Sequence, residues 1–125
     1  VIEGEDIPRL IDELPVIAVL ASQADGETII KDAEDLRNKE ADRIKCLVKE
    51  LSKIGVDIEE HQDGFIVRGK TKLKGNAELE SYHDHRLAMS YYIAGLICEN
   101  EIAINGFEWT KISFPEFEEL VEELN

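Results

Sequence analysis

Two short stretches of the sequence combine acidic and basic residues in a way that suits the binding of a small anion. The first contains Lys39, Glu40 and Arg43, and the second contains His85 and Arg86. In both stretches the arginine falls in the first turn of a predicted helix, where the helix dipole makes a cation unfavourable by about 0.3–1 kcal/mol. A phosphate or carboxylate bound at the helix ends would remove this penalty. The two arginines therefore predict an anion site.

Neighbouring carboxylates leave a second interpretation of the two arginines open. Asp42 comes directly before Arg43, and Asp84 comes two residues before Arg86. Negative charge near a helix N-terminus is favourable, so these aspartates could offset the cations without any ligand.

Helical periodicity predicts that charged groups lie on the inward face at the start of three helices. In each helix they come three or four residues before an apolar residue of the buried stripe, so they continue that stripe. The groups are Asp12 and Glu13, Glu40 and Arg43, and His85 and Arg86. If the helices run side by side, these groups meet at one end of the domain. For Asp12 and Glu13, a simple interaction with the helix dipole is the commoner explanation.

The hydrophobic pattern predicts alternating helices and strands in a single α/β domain covering residues 1–125. Predicted helices cover residues 12–24, a segment ending near 54–55, and residues 84–98 and 115–124; predicted strands cover residues 27–31, 56–60, 64–68, 78–82 and 101–105. The order reads αβαββ and then βαβα. This suggests two copies of one unit, residues 1–70 and 76–125, with the second copy truncated.

Composition limits the classes of partner. The net charge of −14 disfavours nucleic acid and anionic membranes, since both require a basic surface. A hydrophobic fraction of 43% indicates a folded domain, and no run approaches the roughly 18 apolar residues of a membrane-spanning helix. Cys46 and Cys98 lie among apolar residues without metal-ligand spacing, which is typical of reduced core thiols in a cytoplasmic protein.

Four segments together resemble the C-terminal part of the 5-enolpyruvylshikimate-3-phosphate synthase family. They are "LIDELPVIAVLASQADGETII", "DLRNKEADRI", "YHDHRLAMS" and "SFPEFEEL", in the order of that family. The resemblance implies repeated βαβαββ units in an inside-out α/β barrel, with about two copies in this chain. It also implies a partner within the same protein, an N-terminal domain that is absent here and carries the rest of the active site.

The reaction implied by the resemblance transfers the enolpyruvyl group of phosphoenolpyruvate to the 5-hydroxyl of shikimate 3-phosphate and releases phosphate. By position, Asp12 corresponds to the aspartate that binds the shikimate hydroxyls and takes the 5-hydroxyl proton. The adjacent Glu13 is the alternative candidate for this role. Glu40 corresponds to the glutamate that exchanges a proton with the methylene carbon. The resemblance implies no metal and no organic cofactor.

Binding roles follow from the same resemblance. Arg43 and Arg86 correspond to the arginines that hold phosphoenolpyruvate, and Lys39 to a lysine near the transferring centre. His85 corresponds to a supporting residue of the pocket, and Asp84 would orient its neighbours.

Two positions depart from the family pattern. Ile112 stands where the family often has a phosphate-binding lysine, so Lys111 is only a doubtful ligand. Ala41 replaces the usual serine or threonine, which removes a hydroxyl but no charge.

Three other functions compete with this interpretation. His61, His83 and Asp84 could belong to a metal-dependent phosphohydrolase, although no aspartate follows Asp84. A related transferase acting on UDP-N-acetylglucosamine is a second possibility. The third is a non-catalytic interaction domain that uses the acidic C-terminal segment.

Overall fold

The described part of the chain, residues 1–105 of a computed structural model, alternates short helices with the strands of two small sheets. Within it the α-helices are Asp6–Leu10 (α1), Leu14–Ala21 (α2), Arg43–Lys53 (α3) and His85–Ile97 (α4), and Glu34–Asn38 forms a 3₁₀ helix. The strands are Gly26–Ile30 (β1), Asp57–His61 (β2), Gly64–Gly69 (β3), Glu78–Glu80 (β4) and Ala103–Asn105 (β5). The mixed α/β class predicted from the sequence is confirmed.

The three-stranded sheet has β3 at its centre. β3 pairs antiparallel with β1 on one side and with β2 on the other, and Ile2 adds a parallel bridge to Ile30 of β1. Phe65 and Val67 of β3 are fully buried because they face the helices. β4 and β5 form a separate parallel pair, joined by α4, since parallel strands require a long crossover connection.

The core lies between the three longer helices and the central sheet. α3 is amphipathic, and its apolar stripe of Ile44, Leu47 and Leu51 is fully buried. α2 packs against both α4 and β3, and this placement between two layers explains why it is apolar on nearly every side. Tyr91 is the largest fully buried side chain of α4.

Several predicted boundaries are wrong, among them the start of the predicted strand 101–105, which begins at Ala103 as β5. The predicted helix 12–24 is shorter in the structure, because Asp12 lies in a turn and α2 starts at Leu14. Pro15 lacks a backbone N–H and therefore suits that first turn. Glu40 likewise precedes α3 rather than extending it, since Asp42 caps this helix. The predicted strand 78–82 ends at Glu80 because the backbone of Tyr82 is left-handed.

Two short elements were not predicted, namely α1 and the 3₁₀ helix. Neither is long enough to show a clear hydrophobic period. The predicted helix 115–124 lies outside the described residues.

Gly64 allows β1 and β3 to approach each other closely. A Cβ atom at Gly64 would lie 1.9 Å from the backbone oxygen of Ile30. We therefore expect Gly64→Ala to lower the free energy of unfolding by at least about 3 kcal/mol, because backbone atoms of a paired strand cannot move aside. Urea denaturation of both proteins measures this loss.

Gly26→Ala is the matched control. Nothing lies within 4 Å of a Cβ atom at Gly26, although its φ of +83° disfavours any side chain. That variant should lose only about 1–2 kcal/mol. Equal losses in the two variants would contradict the importance of the close approach.

Candidate active site

Arg43 is the centre of the charged cluster. It is the first residue of α3, and only 3% of its side chain is exposed. Its Nε donates to Oδ2 of Asp84 at 2.8 Å, and its Nη2 donates to Oδ1 of Asp84 at 3.2 Å. Asp84 is fully buried, so the two side chains form a buried ion pair with two parallel hydrogen bonds.

Two more carboxylates contact Arg43 from the solvent side. Nη1 donates to Oδ1 of Asp12 at 3.1 Å, and Nη2 donates to Oε2 of Glu40 at 2.6 Å. The side chains of Asp12 and Glu40 are 44% and 65% exposed. The cluster therefore has an inner, buried acid and two outer acids that water reaches.

The cluster joins the starts of three helices. Asp12 lies in the turn before α2, Glu40 and Arg43 lie at the start of α3, and Asp84 lies directly before α4. The predicted meeting of Asp12, Glu40 and Arg43 agrees with these contacts, but the start of α4 contributes the carboxylate of Asp84, which was not among the groups predicted to meet there.

The arginine remains charged. Burial by itself lowers the pKa of Arg43, but the hydrogen bonds and charges of Asp84, Asp12 and Glu40 outweigh burial and raise it. The cation at the start of α3 is therefore balanced by carboxylates of this chain. The acid that offsets Arg43 most closely is Asp84, 41 residues away, and not the adjacent Asp42, whose carboxylate pairs with Arg37.

Aspartates cap the N-termini of α3 and α4. Oδ1 of Asp84 accepts the backbone N–H of Arg86 at 2.9 Å and of Leu87 at 3.2 Å, and Asp42 accepts the N–H of Lys45 at 3.0 Å. Each aspartate thereby satisfies N–H groups that a helix leaves without partners. Since Oδ1 of Asp84 also accepts from Arg43, the guanidinium of Arg43 and the backbone of Arg86 meet at one oxygen atom.

The other residues predicted to belong to the site differ in their exposure and in the contacts of their side chains. Arg86 is exposed and Lys39 is half-buried, and neither forms an ion pair with another residue in the range 1–105. Glu13 directly precedes α2, but its side chain makes no capping hydrogen bond. His85 is the exposed first residue of α4. Lys111 lies outside the described residues.

The turn before Asp84 has an unusual backbone that the sequence analysis did not anticipate. Tyr82 and His83 have φ angles of 55° and 57°, in the left-handed region. This region costs a non-glycine residue roughly 1–2 kcal/mol. Two such residues in a row persist only where surrounding contacts hold them.

Glu50 was also missed, and it supplies some of those contacts. Its carboxylate is fully buried and accepts hydrogen bonds from Lys53 Nζ at 2.6 Å, Glu80 N at 2.8 Å and the Tyr82 hydroxyl at 3.1 Å. The signal was present in the sequence. Glu50 lies three residues after Leu47, on the buried stripe of α3, where a charged residue is unusual.

Arg37 fixes the segment that carries Lys39 and Glu40. It lies in the 3₁₀ helix and donates to Asp42 Oδ2, to Glu60 Oε2 and to the backbone oxygens of His61 and Gln62, at 2.8–2.9 Å. These bonds tie the segment to the turn between β2 and β3 and to the cap of α3.

The described residues do not assemble the metal site of the rival hypothesis. Between residues 1 and 105 no group of three or more histidine, cysteine, aspartate or glutamate side chains is arranged to hold an ion. His61 pairs with Glu59, and the carboxylate of Asp84 is committed to Arg43. Burial raises the pKa of the Cys46 thiol to about 11, so it is protonated at neutral pH. No helix in the same range is both long and apolar enough to cross a bilayer.

The fold is that of the enolpyruvyl transferases. A solved EPSP synthase of Acinetobacter baumannii superposes with a TM-score of 0.80 and 40% sequence identity, covering 98% of this chain and 29% of that one. A second structure of EPSP synthase from the same organism gives a TM-score of 0.77 at 37% identity.

The sequence comparisons define the family. The family profile of EPSP synthase (3-phosphoshikimate 1-carboxyvinyltransferase) matches residues 1–121. The 3-phosphoshikimate 1-carboxyvinyltransferases of Petrotoga mobilis and Thermodesulfovibrio yellowstonii are 54% and 52% identical over 123 residues. The chain belongs to the EPSP synthase family. It spans about 28% of the length of these relatives.

The buried pair of Arg43 and Asp84 should contribute strongly to stability. Asp84→Asn keeps a residue that caps helices but removes the charge opposite Arg43. We expect a loss of about 3 kcal/mol in the free energy of unfolding, at the low end for a broken buried pair because Asp12 and Glu40 still face the guanidinium.

Asp42→Asn is the matched control for this experiment. Asp42 also caps a helix and pairs with an arginine, Arg37, but both side chains are partly exposed. Urea denaturation should show a loss of at most about 1 kcal/mol for this variant. A comparable loss of stability in the two variants would mean that burial does not increase the contribution of the Arg43–Asp84 pair to the free energy of unfolding.

Proposed function

We propose that this chain is the C-terminal part of an enzyme that transfers the enolpyruvyl group of phosphoenolpyruvate to the 5-hydroxyl of shikimate 3-phosphate. The observation that carries the proposal is the meeting of Asp12, Glu40 and Arg43 in one cluster that Arg86 adjoins. Membership of the EPSP synthase family and the names of the relatives support it.

Arg86 and Lys39 are the cations available for an anionic substrate. Neither forms an ion pair with a described carboxylate, and the backbone N–H of Arg86 donates to Asp84 of the cluster. The phosphate and carboxylate of phosphoenolpyruvate both suit the planar fork of an arginine. Arg86 therefore binds one of these groups, with Lys39 and His85 completing the pocket.

Arg43 takes part by exchanging partners. Its four hydrogen bonds to Asp84, Asp12 and Glu40 use all but one of its N–H groups. An anion that approaches from solvent competes with the exposed acids Asp12 and Glu40, whereas the buried Asp84 keeps its place. Substrate binding would thereby release both outer carboxylates for chemistry.

The released carboxylates divide the proton transfers between them. Asp12 accepts the proton of the 5-hydroxyl while the hydroxyl oxygen forms a bond to the enolpyruvyl carbon. Glu40 donates a proton to the methylene carbon of phosphoenolpyruvate. It accepts a proton from the resulting methyl group when the C–O bond to phosphate breaks, because the product retains its methylene group. The net change is one C–O bond formed and one C–O bond broken, and the departing phosphate takes up the 5-hydroxyl proton that Asp12 accepted.

The opposite wall of the cleft would come from an N-terminal domain of the same enzyme. Residues 1–70 and 76–125 then correspond to two successive repeat units of the C-terminal domain. Both substrates would bind between the two walls.

The isolated 125-residue chain should be inactive. Catalysis of this kind depends on groups positioned around both substrates, and half of them would be absent. A phosphate-release assay with phosphoenolpyruvate and shikimate 3-phosphate should give no signal above the rate without protein. Measurable turnover would show that the site is complete within this chain.

Within the longer enzyme, Glu40→Gln and Arg86→Ala should give different kinetic defects. Glu40→Gln should lower kcat by about 10²–10⁴-fold with little change in KM, because a proton-transfer group acts mainly in the transition state. Arg86→Ala should also raise KM for phosphoenolpyruvate, because its charge is felt in the ground state. Steady-state kinetics with each substrate varied in turn distinguishes the two.

Lys72→Ala is the control for loss of a positive charge. Lys72 is 81% exposed and pairs with Glu99, which follows the C-terminal end of α4, so it lies at the opposite end of that helix from Arg86. Its kinetics should match those of the unchanged enzyme. Indistinguishable defects in the Glu40 and Arg86 variants would refute their separate roles.

A further inference from the structure

Glu50 is a buried charge that the proposed reaction does not use. Its side chain is fully buried on α3, seven residues after Arg43, and its carboxylate accepts three hydrogen bonds. Burial by itself raises the pKa of Glu50, but hydrogen bonds from Lys53, the Glu80 backbone and Tyr82 outweigh it and lower the pKa. Glu50 is therefore ionised at neutral pH and can only accept hydrogen bonds.

Two of its three partners lie four and two residues before Asp84. They are the backbone N–H of Glu80 and the hydroxyl of Tyr82, so Glu50 holds both β4 and the first left-handed residue of the turn. Ser81 anchors the other side of the same segment, because its N–H and hydroxyl both donate to the backbone oxygen of Asn105. The N–H of Asp84 in turn donates to the oxygen of Ser81 at 3.0 Å.

The segment between these anchors sets the place of Asp84. Left-handed residues other than glycine return to commoner backbone angles when their contacts are lost. Such a change at Tyr82 and His83 would shift Asp84, which is both the cap of α4 and the buried partner of Arg43. Arg43 and Glu50 are on one rigid helix, so the contact at Glu50 also fixes the distance between α3 and the turn.

We propose that Glu50 is a positioning residue of the active site, which acts through the Tyr82–His83 turn to keep Asp84 aligned with Arg43. Its part in catalysis rests on the proposed function, but its effect on the Arg43–Asp84 pair does not. Glu50 does not touch the substrates. It determines where the guanidinium of Arg43 points when an anion arrives.

Tyr82→Phe is the least disruptive test variant, because it removes one hydroxyl and keeps the ring. Glu50→Gln is the stronger variant, since its amide cannot accept from all three donors. Tyr91→Phe is the matched control. Tyr91 is fully buried on α4, and its hydroxyl has no hydrogen-bond partner within the described residues, so the same chemical change should leave the pair untouched.

Hydrogen exchange of the Arg43 Nε–H reports on the pair without an activity assay. This proton is donated to Asp84, and ¹⁵N-arginine labelling of the full-length enzyme makes it observable by NMR. We expect exchange about tenfold faster in Tyr82→Phe, the effect of losing one hydrogen bond to a charged group, and no change in Tyr91→Phe. Unchanged exchange in Tyr82→Phe, or equal acceleration in Tyr91→Phe, would overturn the proposal.

A double-mutant cycle tests whether the positioning matters for catalysis. Tyr82→Phe should lower kcat/KM for phosphoenolpyruvate about tenfold in the unchanged enzyme, but have little further effect in Asp84→Asn, because both changes act on the same pair. Equal effects in the two backgrounds would overturn a role through Asp84. If the unchanged enzyme fails to turn over these substrates, the proposed function is wrong, and the exchange experiment still decides whether Glu50 controls the pair.

Discussion

The buried charge of Arg43 is the constraint on which this part of the molecule depends. A guanidinium removed from water is tolerated only when carboxylates and hydrogen bonds replace its hydration. Arg43 obtains them from Asp84, Asp12 and Glu40. These acids come from the starts of three helices. Their ion pairs with the one guanidinium of Arg43 therefore hold the N-termini of α2, α3 and α4 together.

The three acids of the cluster differ in their exposure to solvent. Asp84 is fully buried and bonds to Arg43 at two atoms, whereas Asp12 and Glu40 remain open to water. An arriving anion can displace an exposed carboxylate at low cost, but not a buried one whose charge would be stranded. The same residues can thus balance one another without substrate and separate when substrate binds, which is what the proposed chemistry requires.

Support for the cluster lies in contacts farther from it. Glu50 and Arg37 each form several hydrogen bonds with turns and with the ends of short strands. The left-handed backbone at Tyr82 and the segment around Lys39 are positioned by these contacts rather than by local propensity. A functional site placed on such segments depends on buried polar side chains to keep its geometry.

The sequence by itself determined the α/β class, the course of α3 and α4, and the set of charged residues at the helix starts. These follow from local information: hydrophobic period, capping residues and motif spacing. Only the tertiary structure decided which charges pair, since Asp84 is 41 residues from Arg43 and no local rule selects it over Asp42. The left-handed turn and the hydrogen bonds of Glu50 likewise depend on contacts between distant segments. Their energies arise only when the chain is packed.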